Sequence, residues 1–233
     1  MIYRPFDYSG DFSEYSLNTA EIKESIKTEE KRLVEINISY PMPKENCFEK
    51  TAEEKIGTYY KKIAENFANF GRGKLKKMAE ETLKEGDSPF SAVMKFIPTF
   101  ENDALISIVL DVFVYYNARK SQTKRYSNIF LKTKFGLLTC SDFFSKGARS
   151  KITEYISKEY ATQGKTTTDI ETNDNPEREI KRNFDENNFF LTSNGYGFYF
   201  NAGTLSNGNL PSVYIIPYDS FPEVEVGRRL YIL

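Results

Sequence analysis

Histidine is absent from the chain and so is tryptophan. Without imidazole there is no His general base and no His-ligated metal, which removes many reaction classes at once. Cysteine is scarce: Cys47 and Cys140 lie far apart with no CxxC spacing, so neither a zinc site nor a redox motif is readable. They are expected to be buried thiols, reduced and not bonded to each other, with a disulfide as the alternative if the protein is exported. No apolar run reaches membrane-spanning length. The start, "MIYRPFDYSGDFSEYSLNTAEI", has no basic stretch leading into an apolar one, so a soluble, cytoplasmic, monomeric protein is expected. An excess of charge is missing too: Lys and Arg number 32 against 33 Asp and Glu, which argues against a nucleic-acid partner. No GxSxG-type nucleophile motif occurs, and neither metal nor cofactor is expected.

What the chain does have is apolar residues in two different periods. At 233 residues and 39% hydrophobic content it can bury a substantial core. Residues 1–30 read as a polar, acidic arm. "RLVEINISYP" alternates apolar and polar residues up to Pro41, as a strand with one buried face does. Asn46, with Glu49 three residues on, fits a capping box. Phe48, Ala52, Ile56, Tyr59, Tyr60, Ile63, Phe67 and Phe70 then recur at helical spacing and read as core. Gly71 and Gly73 predict a break or bend before a second helix carrying Leu75, Met78, Ala79 and Leu83. Its lysines alternate with glutamates, the pattern of a solvated face.

From Phe90 the period falls to two. "FSAVMKFIPTF" and "ALISIVLDVFVYY" read as neighbouring strands, the second placing Ile106, Ile108, Leu110, Val112, Val114 and Tyr116 on one face and Asp111 on the solvent side. The short loop "NARKSQTKR" to "YSNIFLKTK" requires an antiparallel return. Ser141 or Asp142 can cap a helix burying Phe144, Ala148, Ile152, Tyr155 and Ile156. "ATQGKTTTDIETNDN" reads as a loop, and Asn175-Pro176 opens a short helix. Asn194-Gly195 reads as the turn of a hairpin between strands 188–192 and 196–200, with Val213–Ile216 a further strand and "RRLYIL" a closing one. The fold class is α+β: an antiparallel sheet of meander and hairpins covered by helices, with a small N-terminal α/β half. The divisions expected are 1–30, 31–100 and 101–233.

"INISYP" before a long helix, then "ISIVLDVFVYY", "LLTCSDFF", "NFFLTSNGYGFYF" and "IIPYDSF" in that order resemble a bacterial family of paired domains of unknown function. The family supplies the outer part of lysozyme-sensing anti-sigma factors and the N-terminal region of some peptidoglycan deacetylases. The resemblance spans roughly residues 30–232 and implies an α+β fold and an extracytoplasmic setting, the alternative to the cytoplasm. The family's Gly-Gly-Ala-His-Pro type turn between the central strands is replaced here by "NARKSQTKRY", and the deacetylases' metal-binding Asp and His set has no counterpart.

The function expected is therefore a non-catalytic binding or sensing module for a protein, either a lysozyme-like enzyme or a regulatory partner, or for a cell-wall glycan. The 16 Tyr and 19 Phe support it, because Tyr combines contact area with a polar handle. The partner site is expected on the central hairpin: Tyr115, Tyr116, Arg119, Lys120, Lys124, Arg125 and Tyr126, with the four cations on a solvated tip. The alternatives are a hydrolase using carboxylates among Glu101, Asp103 and Asp111, and a cytoplasmic accessory protein.

Overall fold

In the computed structural model, residues 12–117, 120–163, 176–205, 210–226 and 231 are described. β1 (Leu17–Lys27), β2 (Arg32–Pro43), β3 (Phe90–Glu101), β4 (Leu105–Asn117), β5 (Lys120–Leu131) and β6 (Leu137–Leu138) form one sheet in chain order. Every neighbouring pair is antiparallel except β2 and β3. A parallel return needs a crossover, and α1 (Lys50–Phe70) with α2 (Lys76–Thr82) provides it. A second sheet, β7 (Phe189–Thr192), β8 (Gly195–Phe200) and β9 (Ser212–Pro217), is an antiparallel meander. Between the sheets in sequence lie α3 (Cys140–Phe143), α4 (Ala148–Gln163) and α5 (Pro176–Asn183).

These elements stack in four layers. α1 covers one face of the large sheet over a core that includes Ile36, Ile38, Met94, Ile108 and Leu110. The other face of that sheet meets the small sheet through Val109, Phe190 and Tyr199. The outer face of the small sheet carries Phe198, Phe200 and Ile216 against Ile152, Ile156 and Ile180 of α4 and α5. Polar ties lock the two sheets in place: Ser127 Oγ donates to the Phe189 carbonyl (2.7 Å), and Leu191 N–H donates to buried Ser107 Oγ (3.0 Å). Gly197 lies opposite Phe190, whose ring would be 2.3 Å from any Cβ there.

Several expectations change. The polar arm is, from Leu17 to Lys27, the edge strand β1, and the large sheet continues across the division expected at 100/101. Glu49, not Asn46, caps α1, its carboxylate accepting from Thr51 N–H, while Asn46 takes φ of 61° in the preceding turn. The break or bend expected at Gly71 and Gly73 is a π-helical turn, Gly71–Leu75, between α1 and α2. Gly71 is there because α1 comes down on β2: a Cβ would lie 2.8 Å from Ile36 Cδ1. The single helix expected from Ser141 or Asp142 is two: α3, which Thr139 caps with Asp142 as the reciprocal partner of the capping box, and α4, which carries Ala148, Ile152, Tyr155 and Ile156. In the β7–β8 hairpin Thr192 pairs with Gly195, so the turn residues are Ser193 and Asn194, one earlier than expected, and neither has positive φ. The "GKTTTDIETNDN" part of the loop and most of "RRLYIL" lie outside the described residues.

Candidate functional site

A cleft of about 840 Å³ opens beside α1. α1 runs along β2, Gly57 packing on Met42 and Pro43 and Gly71 on Ile36. From its middle, side chains reach across to β5, where Tyr60 Oη donates to Asn128 Oδ1 (3.2 Å) and Tyr59 and Tyr60 set their ring edges against Phe130. The flank toward β1 is fixed by Arg72, which bonds Glu24 and Glu65. The space left between the other flank and β4 and β5 is the cleft. Tyr59, Ile63, Asn66, Phe67 and Phe70 form its wall, and Met94, Leu110, Val112, Lys124 and Tyr126 its floor. The wall residues share a face by helical spacing; the β4 and β5 residues do so by cross-strand pairing, Leu110 with Tyr126 and Val112 with Lys124.

The floor is polar at its closed end, where Asn128 Nδ2 donates to Tyr59 Oη (3.3 Å). It is apolar and open toward solvent, with Tyr126 43% and Leu137 45% exposed. Lys124 lies over the Tyr126 ring, 5.0 Å from its centre. Round the edge of β5 the cleft continues to Asn187, Asn188, Tyr199 and Asn201. There Asn201 Oδ1 accepts the Arg125 N–H (2.7 Å), so a side chain shields an outward-facing main-chain group of β5. Cys140 also borders the cleft, and burial pushes its thiol up to about 12, away from the reactive thiolate. It and Cys47 are both free.

The residues expected on the central hairpin separate. Lys124 and Tyr126 are exposed and line the cleft. Tyr116 is half-buried with its ring edge against Phe90, and Tyr115 stacks on Phe113 on the opposite face of the sheet. Arg119 lies outside the described residues; Lys120 begins β5, opposite Asn117. Arg125 is the clear correction. It is not on a solvated tip: its guanidinium makes a bidentate pair with Asp111 at 2.8 and 2.6 Å, the side chains 4% and 2% exposed. Asp111 likewise leaves the solvent side expected for it, because the small sheet covers that face of β4. Of the other carboxylates, Glu101 accepts from Lys132 Nζ (2.7 Å) and from Ser16 N–H (2.8 Å), and Asp103 is exposed. Among the described residues no three His, Cys, Asp or Glu side chains gather as metal ligands.

The wall itself was missed in the sequence, where Tyr59, Ile63, Phe67 and Phe70 read as core. All four are half-buried, whereas Ala52, Ile56, Tyr60, Ala64 and Ala68 beside them are fully buried. The bulk of the residues carried the signal: the buried stripe is mostly small, and the large side chains lie on its flank.

Residues 141–218 match a family described as a protein of unknown function, DUF3298. Two solved structures share the fold over nearly their whole length. One, a member of that family from Bacteroides fragilis, has a TM-score of 0.64 at 12% identity, covering 92% of this chain and 96% of that one. The other, a family protein from Pseudomonas aeruginosa, has a TM-score of 0.58 at 11% identity, covering 90% and 94%. No curated protein matches the sequence. No described helix is long and apolar enough to cross a membrane.

Proposed function

We propose that the protein is a non-catalytic binding or sensing module, and that the cleft beside α1 is where it recognises another protein, a lysozyme-like enzyme or a regulatory partner. The make-up of the cleft carries this reading. Half-buried aromatic and aliphatic side chains meet amides and an exposed cation there, a combination that supplies contact area and orientation. The thiol at its border is held protonated, and Asp111, the buried carboxylate on the other face of β4, pairs with Arg125. A second reading, a cell-wall glycan, is favoured by the rings of Tyr59 and Tyr126 standing beside the amides of Asn66 and Asn128.

Titration calorimetry of the purified chain against lysozyme, and separately against chitotetraose, tests both readings. Capture from the cytoplasmic and surface fractions of its own cells extends the test to a regulatory partner. Tyr126→Ala is expected to weaken whichever interaction is found by about tenfold, the effect of losing one exposed aromatic anchor. Binding that Tyr126→Ala leaves unchanged would show that the cleft is not the site. Turnover of a glycan in the same titrations would return the carboxylates to the centre of the argument.

A further inference from the structure

Along α1 the rim of the cleft carries cations and no acids. Helical spacing puts Lys55, Tyr59, Lys62, Asn66 and Phe70 along the flank of α1 that faces it, with no carboxylate among them. Glu54 and Glu65 project from the other flank, where Glu65 meets Arg72. Across the floor stands Lys124. Lys55, Lys62 and Lys124 are exposed and make no ion pair among the described residues. Two of them lie over exposed rings instead, Lys55 over Phe135 (5.6 Å) and Lys124 over Tyr126 (5.0 Å). The acids that border the cleft, Asp185 and Glu186, lie at the other side of β5; Asp185 accepts from Asn187, and Glu186 pairs with Arg149. In a chain whose charges nearly cancel, this is a local excess of cations on the α1 side of an apolar trough and on its floor, the acids lying at the opposite side.

From this we infer that the cleft receives an acidic amphipathic segment of a partner protein, its apolar side chains on Ile63, Phe67, Leu110 and Val112 and its carboxylates toward Lys55, Lys62 and Lys124. The inference rests on the reading of the cleft as a binding site and names the chemistry of what enters it. Helix-in-groove recognition suits the dimensions. From Tyr59 to Phe70 the wall runs about 16 Å at ~1.5 Å per residue, the length of three helical turns, and the uncovered part of β4 and β5 lies where a second helix beside α1 would rest. The three cations would steer the segment and set its direction, while the trough supplies residence time.

The test uses the full chain and two labelled amphipathic peptides of about 14 residues with identical apolar positions, one with Glu and one with Lys on the flanks. Fluorescence anisotropy at low salt should give at least about tenfold tighter binding of the acidic peptide, narrowing as salt screens the cations. Lys55→Glu, Lys62→Glu and Lys124→Glu together, all at exposed positions, should invert the preference with the thermal transition unchanged. Equal affinity for the two peptides, a triple variant that binds like wild type, or no binding of the acidic peptide up to about 1 mM overturns the inference. If lysozyme or chitotetraose then binds in a Tyr126-dependent way, the cleft reading stands without the acidic segment. If Tyr126→Ala alters the binding of none of these ligands, the cleft reading falls and the inference with it.

Discussion

Removing the Arg125 guanidinium is expected to cost far more than removing a surface charge, and the geometry says how much. Both side chains of the Asp111–Arg125 pair are almost wholly out of water, between the two sheets, with two short hydrogen bonds joining them and the Tyr199 ring 5.9 Å from the guanidinium. Arg125→Met keeps the length of the stem and most of its apolar contacts but leaves the Asp111 carboxylate without this partner. Breaking a buried pair in this way costs about 3–5 kcal/mol, because the remaining charge has lost its compensation. That is a large share of the ~5–15 kcal/mol that holds a domain together. The companion variant, Asp111→Leu with Arg125→Met, removes both charges. It is expected within about 1 kcal/mol of wild type, or above it, since desolvating a pair offsets most of its attraction.

Urea unfolding followed by circular dichroism, with the slope checked for constancy, measures both variants. High salt should leave the single variant's loss nearly unchanged, because a buried pair is poorly screened. A loss below about 1 kcal/mol for Arg125→Met, or a double variant as damaged as the single one, would refute the account: the first would mean water reaches the pair, the second that the guanidinium acts chiefly by packing.

Gly197→Ala should destabilise by about 1–3 kcal/mol through overpacking against the Phe190 ring, read as a lower urea midpoint at constant slope; a neutral result would mean that the inter-sheet space is loose. Half-buried Cys47 should react with a thiol reagent at pH 8 before Cys140, whose thiol needs denaturant to react at a comparable rate. Burial raises the phenol pKa of Tyr60, Tyr199 and Tyr214 and the Cys140 thiol in the folded state only. Stability from these groups is present at neutral pH and declines above about pH 9, where the unfolded chain begins to lose protons that the folded one keeps. A flat urea midpoint from pH 7 to about pH 11 would contradict this.

The period of the apolar residues made most of the fold readable. β4 buries Ile106, Ile108, Leu110 and Val114 on one face, as alternation required, and the helix after β2 lies where its stripe begins. β1 escaped because it is an edge strand. Its inward residues Ala20, Ile22 and Ile26 are only half-buried, and polar residues alternate with them, so its composition is that of a polar arm. Asp111 was misplaced for a different reason. Alternation divides a strand into two faces but does not say what covers each, and the cover for this one comes from residues some eighty positions later. Ser107, Asp111 and Arg125 are buried polar groups because a second sheet is there to bond or enclose them.

The cleft depends on something that no local pattern encodes, where α1 lies on the sheet. Tyr59, Ile63, Phe67 and Phe70 share a helical face wherever the helix lies; whether the face is core or wall depends on which strand the helix follows. Gly57 and Gly71 let it follow β2, one close to Met42 and the other to Ile36, while Tyr60 reaches across to Asn128 and Phe130 on β5. The Gly71–Ile36 and Tyr60–Asn128 contacts pair residues more than thirty positions apart. A bulky side chain at Gly71 would lift that end off β2. The same residue that looks like a weak point in a helix therefore lets α1 lie close along β2, beside the trough that its flank walls.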